Sequence, residues 1–96
     1  MDRLAERGTV FTRSYCQVPV CGATRASLMT GVRPTRDRFV TYKTVADDDL
    51  PGALTLPQHF RENGYTALSA GKVFHHRMDT AERSWNEEPW QPGARG

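Results

Sequence analysis

The order of predicted elements along this 96-residue chain indicates an α/β fold with an incomplete sheet. Residues 9–15 are rich in β-branched and aromatic residues, which is typical of a strand, and residues 65–70 are a second strand candidate. Helical segments with recognisable ends alternate with these two strands. Two strands with no closing elements cannot cover their own sheet, so we expect the chain to be part of a larger domain.

The first half of the chain contains two predicted helices around the first strand. Residues 1–7 are predicted to be helical, with Gly8 where a glycine commonly ends a helix. A loop follows the first strand, because Pro19 disfavours a helical conformation in the residue before it. Good helix formers then predict a helix over Cys21–Thr30, closed by Gly31.

The second half has one clear helix and one strand. Residues 32–53 are predicted to be irregular. Thr55 or Leu56 caps the next helix, with Pro57 in its first turn, and the helix ends at the pair Asn63 and Gly64. The second strand leads into a turn at Gly71 and Lys72. Beyond His76 the chain is charged and is predicted to be loop, with Trp85 and Trp90 as its large apolar residues.

Composition excludes several classes of function. There are 13 basic and 11 acidic residues, for a net charge of +2, and this balance argues against nucleic acid as a partner. No apolar run approaches the ~20 residues of a membrane span, so no membrane span is expected. Cys16 and Cys21 are too few for a disulfide scaffold. No signal peptide is visible after Met1, and composition leaves the compartment open.

The densest chemical segment begins at Cys21, where a loop becomes a helix. Free backbone N–H groups and the helix dipole favour an anion at such a position. Arg25 lies one turn further along the same face. A guanidinium beside a nucleophile at this position suits a sulfate or phosphate ester. For the isolated pattern, a structural cysteine is the simpler interpretation.

Residues 21–31 resemble the first signature of the sulfatase family, Cys-x-Pro-Ser-Arg followed by Leu-Thr-Gly. Cys21, Arg25, Thr30 and Gly31 match that signature in identity and spacing. Ala23 stands where the family has proline, Thr24 where it has serine and Met29 where it has leucine. The stretch from Asp2 to Arg13 also resembles the segment that precedes this cysteine in many sulfatases.

Residues 64–75 resemble the second sulfatase signature. A strand that ends in Gly71 and Lys72 brings a cation to the carboxyl edge of a sheet, where open α/β folds bind ligands. The resemblance implies that Lys72 contacts the sulfate and that His75 donates a proton or hydrogen bond to the leaving oxygen. Taken alone, an exposed lysine and a surface histidine would be the simpler interpretation. Two signatures in the family's order favour the functional one.

The resemblance, closest to the iduronate-2-sulfatase-like branch, implies an N-terminal portion of an alkaline-phosphatase-like, doubly wound sheet domain over residues 1–96. It implies a sulfuric ester hydrolase whose nucleophile is formylglycine, made from Cys21 by a formylglycine-generating enzyme. It also implies one Ca²⁺ ion, with residue 21 as the only ligand in this chain. The substrate would be a sulfate ester such as a sulfated saccharide. Family precedent suggests a periplasmic, secreted or lysosomal location.

Two other functions remain open from the sequence. A formylglycine-dependent phosphonate or phosphodiester hydrolase shares the cysteine motif. A non-catalytic fragment or interaction module could keep the family sequence without activity, and we expect the 96-residue chain by itself to be inactive. Three other patterns are not interpreted as functional sites. The acidic run at 47–49 is predicted to be a solvated loop, and Arg33, Arg36 and Arg38 are predicted to lie on a charged surface loop. The spacing of Cys16, Cys21, His75 and His76 fits no zinc-binding pattern.

Overall fold

The computed structural model describes residues 1–93, and these form five helices joined by long irregular segments. The predicted helix at Cys21–Thr30 is confirmed with both ends correct, and Gly31 closes it with a left-handed φ of 69°. The described helices are α1 (Asp2–Ala5), α2 (Cys21–Thr30), α3 (Ala46–Asp49), α4 (Leu56–Glu62) and α5 (Ala81–Ser84). No helix among residues 1–93 is long and apolar enough to cross a membrane.

Thr55 begins helix α4 as the sequence predicts. Its hydroxyl accepts a hydrogen bond from the backbone N–H of Gln58, and Pro57 lies in the first turn. A proline costs little there, because its missing N–H would have had no partner within the helix. Gly64 follows the helix with a φ of 87°. The sequence therefore specifies both ends of this helix locally.

The two predicted strands are not formed within residues 1–93, so the prediction of a doubly wound sheet is not met there. Residues 1–17 are exposed throughout. A strand requires a neighbour for its N–H and C=O groups, and 9–15 has none among the described residues. Residues 65–70 do have a neighbour: a single parallel bridge joins Ala70 to Trp90.

The prediction that the chain beyond His76 is loop is wrong around Trp85. Trp85 is 8% exposed, and its ring packs edge-on against Phe74 with 6.4 Å between the ring centroids. Residues 81–84 form helix α5, and only 94–96 of the predicted loop lie outside the described residues. The buried hydrophobic residues are Ala23, Ala26, Phe39, Ala46, Phe74, Ala81 and Trp85. The chain after His76 therefore completes the core.

The core also contains a buried polar network. The hydroxyl of Ser84 lies 2.7 Å from that of Thr55 and 2.8 Å from that of Thr80. The carboxylate of Asp79 accepts hydrogen bonds from the backbone N–H groups of Ala46, at 2.7 Å, and Asp47, at 3.3 Å. These bonds satisfy polar groups that would be costly to bury alone. They tie α3 and α4 to the chain after His76.

The acidic run is not the solvated loop predicted from the sequence. Asp47 forms an ion pair with Arg83, and Asp49 accepts a hydrogen bond of 2.6 Å from the backbone N–H of Phe39. Phe39 is fully buried and has a φ of 56°, which is unusual for a bulky residue. The carboxylate of Asp49 therefore helps to hold a strained backbone position.

Candidate active site

The structure brings Cys21 and His75 together. The Sγ atom of Cys21 lies 3.2 Å from Nδ1 of His75, although the two residues are 54 positions apart in the sequence. Cys21 is exposed at the first position of helix α2, and His75 is partly buried. The two predicted signatures thus meet at one point. A group attached at position 21 would have an imidazole nitrogen within reach.

Helix α2 positions the loop that carries His75 through Arg25. The Nη1 atom of Arg25 donates hydrogen bonds to the carbonyl oxygens of Lys72, at 2.5 Å, and Val73, at 2.9 Å. One guanidinium group thus fixes two consecutive peptide groups close to Cys21. Arg25 has further N–H donors, so its predicted contact with an anion stays a prediction.

Thr24 positions the loop on the other side of Cys21. Its hydroxyl donates a hydrogen bond to the carbonyl oxygen of Val18, and its backbone N–H donates to that of Val20 at 2.9 Å. These two bonds close the loop onto the first turn of α2. A hydroxyl at position 24 therefore has a structural reason, which the sequence pattern alone does not show.

A tight turn at 41–44 borders the site. The carbonyl oxygen of Tyr42 lies so close to Gly22 that a Cβ atom added there would be 2.3 Å from it. The Tyr42 ring meets the imidazole of His75 edge-on, with 6.2 Å between centroids. His75 also meets the ring of His76 edge-on, at 4.8 Å. Sequence reasoning missed Tyr42, because no local signal connects it to residue 75.

The electrostatic environment of His75 is positive. Desolvation is the largest cause that lowers the pKa of His75 below its ordinary value of 6.5, followed by the charges of Lys72, His76 and Arg25. The lowered pKa of His75 favours the neutral form of the imidazole. The same surrounding cations would attract an anion to Cys21. Lys72 is exposed, so its ammonium group is open to such an anion.

The remaining predicted groups do not assemble a metal centre. Within the part of the chain that the structure describes, no group of three or more His, Cys, Asp or Glu side chains could hold a metal ion. Ca²⁺ takes 6–8 oxygen ligands, and these residues do not fit such a site by themselves. Among the three arginines at 33, 36 and 38, Arg38 donates a hydrogen bond of 3.1 Å to the carbonyl oxygen of Arg33. This guanidinium group thus has a partner within its own loop.

Comparison with known proteins assigns the family. The sulfatase family model matches residues 1–87. The chain belongs to the sulfatase family. Family membership implies an alkaline-phosphatase-like fold for the domain to which these residues contribute.

Named relatives of this sulfatase chain agree with the family match. It is 33% identical to iduronate 2-sulfatase of Homo sapiens over 99 residues, covering 98% of this chain and 18% of that protein. It is 38% identical over 80 residues to a sulfatase of Formosa agariphila, covering 77% of this chain and 16% of that protein. With N-acetylgalactosamine-6-sulfatase of Canis lupus familiaris it shares 32% over 82 residues, 75% of this chain and 16% of that protein.

The matched region is a small part of these relatives. This chain spans less than a fifth of the length of each of the three. No solved structure gives a significant match to it. The resemblance seen in the two signatures is thus confirmed at the level of the family, and the roles of Cys21, Arg25, Lys72 and His75 stay predictions.

Proposed function

We propose that the protein carrying this chain is a sulfuric ester hydrolase, with residues 1–96 as the N-terminal part of its catalytic domain. The observation that supports this most strongly is the 3.2 Å contact between Cys21 Sγ and His75 Nδ1. It joins a nucleophile position at a helix N-terminus to a group that can move a proton. The cations around that contact suit the negative charge of a sulfate ester.

Each residue of the site has a role in this proposal. Position 21, oxidised to formylglycine by a formylglycine-generating enzyme, supplies the oxygen nucleophile. Lys72 binds the sulfate oxygens and stabilises the charge that builds up on them. His75 donates a proton or hydrogen bond to the leaving alcohol as its bond to sulfur breaks. Arg25 fixes the peptide groups at 72 and 73 and so maintains the separation between these two side chains.

The net reaction consumes one water and releases one alcohol and one hydrogen sulfate ion. A sulfated saccharide is the substrate class that we propose, because two of the relatives carry sugar residues, iduronate and N-acetylgalactosamine, in their names. The family's Ca²⁺ ion would need most of its ligands from residues outside 1–93. A phosphonate or phosphodiester hydrolase would use the same cysteine and is tested in the same assay.

The experiment is to express the complete reading frame aerobically with a formylglycine-generating enzyme and to measure mass and activity together. Conversion of Cys21 lowers the mass of its peptide by about 18 Da. We expect the converted protein to hydrolyse 4-nitrophenyl sulfate, and Cys21→Ala to abolish this activity while leaving the fold intact. An unconverted thiol would show that Ala23 blocks recognition. Hydrolysis of a phosphonate ester in preference to the sulfate would favour the other function.

A further inference from the structure

A groove of about 370 Å³ lies beside the candidate site and has no role in the proposal so far. Gly71, Lys72, His75, Gln91 and Pro92 line it. Its volume falls within the range of small-molecule sites in proteins. Lys72 and His75 are shared with the candidate site, so the groove opens directly from it. Gln91 and Pro92 belong to the part of the chain beyond His76, in which the sequence signatures assign no functional residue.

Backbone pairing explains why Gln91 lies at this position. The N–H of Trp90 donates to the carbonyl oxygen of Ser69, and the N–H of Gly71 donates to that of Trp90, each at 2.9 Å. The two segments run parallel where Ala70 pairs with Trp90. In a parallel pair, both segments leave the paired region at the same edge. Gln91 therefore follows Trp90 on the side where Lys72 follows Gly71.

Further contacts hold this wall of the groove in place. The side-chain oxygen of Asn86 accepts a hydrogen bond of 2.7 Å from the backbone N–H of Ala67. The backbone N–H of Asn86 donates to the carbonyl oxygen of Ala67 at 2.9 Å. Nε of Arg77 donates to the carbonyl oxygen of Pro89 at 2.7 Å. These bonds fix the backbone up to Trp90, directly before Gln91, and so limit the entropy cost of ordering Gln91 when a ligand binds.

The lining of the groove indicates which ligands it can accept. Lys72 contributes a positive charge, and none of the described lining residues is acidic. A cationic leaving group would therefore meet repulsion without a compensating carboxylate. The amide of Gln91 offers two N–H donors and an acceptor oxygen. This combination suits a neutral or anionic alcohol with several hydroxyl groups.

We propose that Gln91 is a specificity-determining residue that hydrogen-bonds the hydroxyl groups of the leaving alcohol. This inference rests on the proposed sulfatase function and names the part of the site that selects the substrate. The sulfate group lies at Cys21 and Lys72, and the alcohol portion extends along the groove to Gln91. The leaving group of 4-nitrophenyl sulfate has no hydroxyl substituents and offers the amide none of these hydrogen bonds.

The test compares galactose 6-sulfate with 4-nitrophenyl sulfate as substrates of the complete, formylglycine-containing protein. Gln91→Ala removes a neutral hydrogen-bond partner, so we expect kcat/KM for the sugar sulfate to fall about 5- to 10-fold. The value for the aryl sulfate should stay within about twofold. Glu87→Ala is the matched control, because Glu87 is exposed on the same segment but does not line the groove. It should leave both values within the same limit.

A second variant tests the charge argument in the opposite direction. Gln91→Glu places a carboxylate in the groove and should raise kcat/KM for choline sulfate several-fold relative to that for galactose 6-sulfate. Equal effects of Gln91→Ala on both substrates, or none on either, would overturn the inference and leave the proposed function standing. A correctly converted wild-type protein that hydrolyses neither sulfate would overturn both.

Discussion

Arg25 Nη1 lies 2.9 Å from the carbonyl oxygen of Val73, so helix α2 directly supports the loop that carries Lys72 and His75. The spacing of Cys21 and Arg25 in the sequence points to an anion-binding role for the guanidinium. The structure adds a second role, which is to connect the two signatures. Both roles have consequences that substitutions can separate.

Substitution of Arg25 should affect both stability and activity. Arg25→Ala removes two charge-assisted hydrogen bonds to backbone, and we expect the free energy of unfolding to fall by about 1–3 kcal/mol. Arg25→Lys keeps the charge but loses the guanidinium geometry that reaches two carbonyl groups. Urea denaturation and kcat/KM for an aryl sulfate, measured on both variants, test this. Full stability with lost activity in Arg25→Ala would contradict the supporting role.

Lys72→Ala should lower catalytic activity without lowering the stability of the fold. The side chain is exposed, and only its backbone oxygen is held by Arg25. We expect kcat/KM to fall about 10²-fold because a charge that stabilises the transition state is lost, with a nearly unchanged melting temperature. Lys72→Arg, which retains the charge, should recover part of the activity. A large loss of stability in Lys72→Ala would instead indicate a structural ion pair.

Thr24 offers a test of the loop that precedes Cys21. Thr24→Val keeps the shape of the side chain but cannot donate to the carbonyl oxygen of Val18, so unfolding should become easier by about 1 kcal/mol. Thr24→Ser keeps the hydroxyl, so its free energy of unfolding should stay within a few tenths of a kcal/mol of the wild-type value. Chemical denaturation measures both. Equal stability of the serine and valine variants would show that the hydrogen bond contributes nothing.

Asp79 should make stability depend on pH in a defined direction. Desolvation, the largest effect, raises the pKa of its carboxyl group above 3.8, although hydrogen bonds from Ala46 and Asp47 oppose the shift. The folded state therefore holds this proton more tightly than the unfolded state. The resulting stabilisation is present below the unfolded pKa and is lost as pH rises through the folded one.

The comparison is between wild type and Asp79→Asn, which cannot ionise. We expect the stability of wild type relative to this variant to be lower at about pH 7 than at about pH 4. Urea denaturation at both pH values gives the difference. The opposite trend would show that the two backbone N–H donors outweigh desolvation.

The 96-residue chain produced by itself should not hydrolyse sulfate esters. Residues 1–93 contain no group of side chains that could hold a metal ion, and residues 1–17 are exposed, with Phe11 at 78% and Tyr15 at 87%. Hydrogen exchange of the isolated chain should be fast over 1–17, since those amides have little burial. Slow exchange there, or measurable sulfatase activity, would contradict the expectation.

Local chemistry explains which parts of the fold the sequence could predict. The ends of α2 and α4 follow from Gly31, Thr55 and Pro57, whose effects act within one helical turn. The predicted strand at 9–15 is wrong for residues 1–93, because strand propensity says nothing about whether a pairing partner is available. The sequence predicts a loop at Trp85, because the burial of this residue depends on Phe74, a partner from a separate segment of the chain.

The same reasoning applies to the candidate site. Cys21, Arg25, Lys72 and His75 could be selected because they occur in two recognisable signatures, and the structure places Cys21 beside His75. Tyr42 and Gln91 could not be selected. They reach the site through a close backbone approach to Gly22 and through parallel pairing at Trp90, and neither contact leaves a pattern in the sequence.

The 54-residue separation between Cys21 and His75 also has a consequence in time. Contacts between distant parts of a chain form slowly, because loop closure must be completed before they contribute. Helix α2 depends mainly on local signals, whereas its contact with His75 depends on the order of the whole intervening chain. Cys21 remains exposed in the folded structure, so the arrival of the imidazole changes the chemical environment of the thiol without covering it. The enzyme proposed above to oxidise residue 21 would therefore meet the thiol without its histidine neighbour before folding and with it afterwards.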